Sequence, residues 1–135
     1  MTNTKLLDFS VNIAEMSRMR QFLQNVAAEA DFTDRQTKEL RLAVEEAVAN
    51  VVDYSGATIM RLSAIIGETA ASIIITDDGK PFDPTQVPPP DFSMQPEDRP
   101  AGGLGITYMR SMTDEMTYRR QEGMNILTLT KKRKK

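Results

Sequence analysis

Glu46 and Asn50 stand four residues apart in the run Glu45-Glu46-Ala47-Val48-Ala49-Asn50. On an α-helix that spacing projects a carboxylate and a carboxamide side by side, a pair able to accept a proton and to hold a metal ion. Two glycine-marked segments follow: Asp77-Asp78-Gly79-Lys80-Pro81-Phe82-Asp83, and Ala101-Gly102-Gly103-Leu104-Gly105-Ile106 running into a helical pattern. In this order the three suggest a nucleotide site. The chain has no cysteine and no histidine, which excludes thiolate chemistry, imidazole ligands and any histidine phosphorelay. Chemistry must come from carboxylates, amides and backbone groups.

The elements that would position these residues are legible from periodicity. Lys5-Leu6-Leu7-Asp8-Phe9-Ser10-Val11 alternates as a strand. From Ala14 to about Ala30, Met16, Met19, Phe22, Leu23 and Val26 recur at helical spacing, and Asp31-Phe32-Thr33-Asp34 breaks the pattern and supplies a cap for a helix starting near Arg35. In that second helix Leu40, Val44, Ala47, Val48 and Val51 form the core stripe, with Glu46, Asn50 and Asp53 on the opposite, free face. Ala57 to Ile66 and Ala70 to Thr76, split by Gly67-Glu68-Thr69, read as a hairpin, and Ile73-Ile74-Ile75 as a central strand. All seven prolines fall between residues 81 and 103, where no regular element is expected. A loop of that length in a small domain calls for a purpose such as a lid. Leu104 to Met112 reads as a short helix; Glu115 to Gln121 and Met124 to Thr130 form a closing hairpin turning at Glu122-Gly123.

This order puts helices on one face of a mostly antiparallel sheet, a two-layer α/β sandwich of the α+β class. At 135 residues, 40% hydrophobic and 27% charged, the chain is expected to form one globular domain over residues 1–135. Nothing in it approaches a membrane span or a secretory leader, so cytoplasm is the default. The net charge of −2 hides an asymmetry: without Lys131 to Lys135, 12 basic face 19 acidic residues, a body at −7 with a basic tail over 131–135.

Taken singly, each motif has a plain structural role. Polar residues on the outer face of a helix are ordinarily solvated, Asp-Asp-Gly after an apolar strand is ordinarily a turn, and glycines before a helix can simply end a loop. Exposed amides at a helix start do, however, attract phosphate. The combination resembles the GHKL ATPases, and more narrowly the anti-sigma-factor serine kinases of the RsbW and SpoIIAB type, over nearly the whole chain. Glu46 to Asn50 is similar to their N box, Asp77 to Phe82 to their Asp-x-Gly-x-Gly/Pro box, and Gly102 to Gly105 to the glycine box after the ATP lid.

The resemblance implies the Bergerat-type sandwich, with ATP and Mg²⁺ as ligands. Asn50 would bind the Mg²⁺ that bridges the phosphates, an amide oxygen suiting that hard ion. Glu46 would be the general base toward a serine hydroxyl. Asp77 would accept from the adenine amino group and Gly79 would let the base approach the backbone. Gly102, Gly103, Leu104 and Gly105 would cradle the phosphates with main-chain amides. Residues 84–101 would be the lid, where Arg99 reads as solvated or as reaching the γ-phosphate. Relatives often carry histidine where this chain has Tyr54, and Pro81 replaces the last glycine of the adenine box. Glu45, about 100° around the helix from Glu46, is expected to pair with Arg41.

The function implied is an ATP-dependent protein serine/threonine kinase and binding switch. It would hold a sigma factor or similar target in one state; in the other it would phosphorylate a STAS-type anti-sigma-factor antagonist. Homodimerisation is an expectation from the same resemblance. A different class also fits the motifs, a non-catalytic ATP-binding interaction module acting by occupancy. Direct nucleic-acid binding through Lys131 to Lys135 is disfavoured, because the acidic body would repel phosphate.

Overall fold

The computed structural model describes residues 3–10, 16–88, 93–95, 97 and 103–133. In chain order the elements are β1 (Asn3–Ser10), α1 (Met16–Glu29), α2 (Asp34–Asn50), a π-helical turn (Val51–Ser55), β2 (Ile59–Ile66), β3 (Ala70–Asp77), a 3₁₀ turn (Pro84–Gln86), α3 (Gly103–Met112), β4 (Glu115–Gln121) and β5 (Met124–Lys132). The five strands form one sheet in the order β1-β2-β3-β5-β4, with every neighbouring pair antiparallel. Ile73-Ile74-Ile75 lies on the central strand, as its apolar run implies.

Local signals explain where the elements begin. Thr33 caps α2 reciprocally: its Oγ1 accepts from the Gln36 N–H at 3.1 Å, and Gln36 Oε1 accepts from the Thr33 N–H at 3.1 Å. Gln36 Nε2 then donates to the Lys132 carbonyl at 3.0 Å, tying the start of α2 to the end of β5. Glu122 and Gly123, with φ of 52° and 78°, make the tight turn between β4 and β5, the backbone twist a two-residue hairpin favours.

The core lies between the helices and one sheet face. Met19 and Val26 of α1, Leu40, Val44 and Val48 of α2, and Ile106 and Met109 of α3 pack with Leu62, Ile73, Ile75 and Leu129. Each such side chain contributes roughly 1.5–3 kcal/mol by leaving water. The opposite face carries exposed Leu6, Ile59 and Ile65, so the sandwich has two layers. Among the described residues no helix is long and apolar enough to cross a membrane.

Two expectations are corrected. The proline-rich segment does open on a regular element: Asp83 caps the 3₁₀ turn through the Thr85 N–H at 2.9 Å, and Arg110 of α3 donates to the Pro84 and Thr85 carbonyls at 3.1 and 3.0 Å. The supposed basic tail begins inside the fold. Alternation along β5 puts Lys131 on the core face with Leu127 and Leu129, where it is 7% exposed. Its Nζ donates to the Met112 carbonyl at 2.7 Å and lies 3.2 Å from Glu39, a cation set against the C-terminal end of α3. Arg133 pairs with Asp31 at 2.6 Å. Lys134 and Lys135 lie outside the described residues.

Candidate functional site

The C-terminal end of α2 and the end of β3 face each other across a cavity of about 240 Å³. Asn50, Val51, Tyr54 and Ser55 line it from one side, Asp77, Lys80, Pro81 and Phe82 from another, and Tyr118, Asn125 and Leu127 of the last hairpin close it. Asn50 and Asp77, 27 positions apart, thus reach one pocket.

The loop after β3 is held from several sides. Asp77, 3% exposed, accepts through Oδ1 from the Gly79 N–H at 2.8 Å and from Asn125 Nδ2 at 3.1 Å. The Gly79 carbonyl takes Arg120 Nη1 at 2.7 Å, and the Lys80 N–H donates to the Ser55 carbonyl at 2.9 Å. Gly79 has no room for a side chain: a Cβ there would sit 2.5 Å from Ser55 Cβ and Oγ and 2.8 Å from Asp77 Oδ1. Ser55 cannot yield easily, because its Oγ donates to the Val51 carbonyl at 2.6 Å and accepts from the Ala57 N–H at 3.0 Å. Asp78, by contrast, is structural. Its carboxyl is held below the usual carboxylate range, first by the Thr58 hydroxyl and then by the Ile59 and Thr58 N–H groups.

Around the other end the bonding is sparse. Among the described residues the buried Asn50 Nδ2 has no hydrogen-bond partner, a costly arrangement unless something further completes it. Such an orphan amide at a cavity wall fits a ligand-bearing site. Glu46, one helical turn before Asn50, is half-buried and is not part of the cavity lining. It lies instead against α3: a Cβ on Gly105 would stand 2.7 Å from Glu46 Oε2. The outer face of α2 is therefore not free, as the amphipathic pattern alone suggested; the start of α3 occupies it. Glu45 is the surface partner, 3.7 Å from Arg41 and 3.3 Å from Arg20.

Of the expected site residues, Asn50 and Asp77 line the cavity, Gly79 is hydrogen-bonded to Asp77 and Glu46 meets Gly105. Gly103 and Leu104 form the first turn of α3. Gly102 and Arg99, with half of the lid, lie outside the described residues. Asn125 and Tyr118 escaped the sequence reading. The available signal was strand parity: Asn125 shares a face with Leu127 and Leu129 and pairs in register with Asp77, a polar side chain where the pattern calls for an apolar one.

Comparison with known proteins fits this architecture. Residues 9–131 match the histidine kinase-like ATPase domain family. The chain is 28% identical to a serine/threonine-protein kinase, BtrW, of Bordetella bronchiseptica, across 96% of this chain and 94% of that protein. It is 31% identical to a serine-protein kinase, RsbW, of Halalkalibacterium halodurans, across 84% of this chain and 73% of that one. A crystal structure of RsbU and RsbW domains from Mycobacterium tuberculosis superposes with a TM-score of 0.67 at 16% identity, a likeness of fold that covers 96% of this chain and 32% of the other. The matched span takes in Asn50, the Asp77–Gly79 loop and all three helices: the chain belongs to the histidine kinase-like ATPases, as a protein serine/threonine kinase of the RsbW type.

Proposed function

We propose that the chain binds Mg-ATP in the cavity between α2 and β3 and transfers its γ-phosphoryl group to a serine of a STAS-type anti-sigma-factor antagonist. In its alternative state it holds a sigma factor or similar regulator, so that phosphorylating the antagonist frees the kinase for its target. The observation carrying this reading is the pairing of a buried, unpartnered Asn50 amide with a pre-bonded Asp77-Gly79 loop on the same cavity.

In this reading adenine sits at Asp77 and Gly79, and the phosphates run toward Gly103 to Gly105 in the first turn of α3, where free backbone N–H groups favour anions. Asn50 would hold Mg²⁺, which supplies charge neutralisation on the phosphate oxygens. Among the described residues no cluster of carboxylates is arranged for a metal, and Mg²⁺ commonly takes one or two protein ligands besides phosphate and water. Glu46 accepts the proton of the serine hydroxyl as its oxygen bonds to phosphorus and the bond to the departing ADP oxygen breaks. Gly105 lets the carboxylate lie close to the helix that would cradle the phosphates.

The test is intact-mass measurement after incubating the protein with Mg-ATP and a small STAS-type protein from the same organism. A gain of one phosphate on that protein supports the proposal; no gain, with ATP demonstrably bound, refutes the substrate assignment. Glu46→Gln should retain ATP and lose the transfer.

A further inference from the structure

We propose that Asn125 and Tyr118 are positioning residues that set the base selectivity of the cavity, by fixing Asp77 as a pure acceptor facing a 6-amino purine. The inference rests on the nucleotide-binding reading and deepens it. Asn125 is buried at the register position opposite Asp77. Its Nδ2 donates to Asp77 Oδ1 at 3.1 Å and to the Lys80 carbonyl at 2.8 Å, with the Gly79 carbonyl at 3.4 Å. Its Oδ1 accepts from the Tyr118 hydroxyl at 2.5 Å and from the Phe82 N–H at 3.3 Å.

Every polar capacity of the amide is thereby assigned. Reversing it would turn the oxygen onto three acceptors and the NH₂ onto the Phe82 N–H, so its orientation is dictated by chemistry. The same bond disposes of one Asp77 oxygen. Oδ1 takes two protein donors, while no donor among the described residues is bonded to Oδ2, and Asp77 lines the cavity. What a bound base meets is acceptor capacity alone. A 6-amino group satisfies it; a 6-oxo group would set acceptor against acceptor, and polar groups left unpaired in this way discriminate strongly. Tyr118 acts one bond further out, by holding the Asn125 oxygen. Arg120 also holds the Gly79 carbonyl, at 2.7 Å, an anchor that neither substitution removes.

The experiment titrates the protein calorimetrically with ADP and with inosine diphosphate, which carries a 6-oxo group in place of the 6-amino group, in the presence of Mg²⁺. The wild type should prefer ADP. Asn125→Leu should narrow that preference about tenfold, and Tyr118→Phe, which deletes one oxygen and keeps the ring, about threefold, these being the scale of a lost hydrogen bond to a charged and to a neutral partner. In both variants KM for ATP should rise with kcat nearly unchanged, and the Gly79 amide should exchange faster with solvent in the nucleotide-free protein. Should Asn125→Leu fail to fold, Tyr118→Phe carries the test. Equal losses for both nucleotides, or an unchanged preference, overturn the proposal while leaving nucleotide binding intact. A wild type that binds neither nucleotide overturns the function itself, and this inference with it.

Discussion

The two ends of the cavity are built on opposite terms. At the β3 end, Asp77, Gly79, Lys80, Asn125, Tyr118 and Arg120 bond one another within the protein, with the second Asp77 oxygen left over among them. At the α2 end, a buried amide has no partner among the described residues and the nearby carboxylate rests against a glycine. A recognition surface gains by being rigid before its ligand arrives, since less freedom is then lost on binding. A site for a metal and a triphosphate gains by leaving polar capacity unspent until they arrive. On the proposed function, stability resides at one end and reactivity at the other, a division common where function opposes folding.

That contrast can be broken most sharply at Glu46. Glu46→Gln should lower phosphoryl transfer by about 10²–10⁴-fold with ADP affinity and melting temperature unchanged; coupled losses of both would erase the distinction between the ends. The two close-approach glycines come next. Gly79→Ala forces a methyl onto the tethered Ser55 and should cost about 1–3 kcal/mol of stability by urea titration, along with nucleotide affinity. Gly105→Ala meets the far end of a flexible Glu46 side chain instead. Its melting temperature should hardly move, while transfer falls. Asn50→Ala is sharper in sign. Removing an unsatisfied buried amide should leave the nucleotide-free protein as stable as before or up to about 1 kcal/mol more stable, while Mg²⁺ no longer strengthens ADP binding in calorimetry.

The smallest expected effect is outside the cavity, at Asp78. Because its folded carboxyl is held below the usual range by Thr58 and Ile59, its stabilisation is present at neutral pH and disappears as the pH falls through the folded value. The melting-temperature gap between wild type and Asp78→Asn should therefore be widest near neutrality and close in acid. A gap that persisted in acid would assign it to packing.

Much of the scaffold was legible because it rests on local rules. The α2 stripe, the Thr33 cap, the isoleucine run of β3 and the Glu122-Gly123 turn each follow from spacing or backbone preference within a few residues. The motif residues Asn50, Asp77 and Gly79 could be named because their order and spacing together resemble the boxes of a known family, although each alone reads as an ordinary helix face or turn. What escaped depends on register between distant segments. Asn125 gains its meaning only opposite Asp77, and Lys131 only once β5 brings it beneath Met112 and Glu39. Nor does helical periodicity reveal that the outer face of α2 receives α3, because an outward Glu46 reads alike whether its neighbour is water or Gly105.

The widened turn from Val51 to Ser55 makes the chain unusually intolerant of a change in length there. It follows Asn50 directly and ends on the residue whose carbonyl clasps Lys80, so it serves as the spacer between the two halves of the pocket. Deleting one residue from it would restore ordinary helical winding and swing Ser55 by about 100° around the axis. The clasp would be lost although every motif residue were still in place. Natural variants should therefore accept substitutions in this stretch far more readily than insertions or deletions.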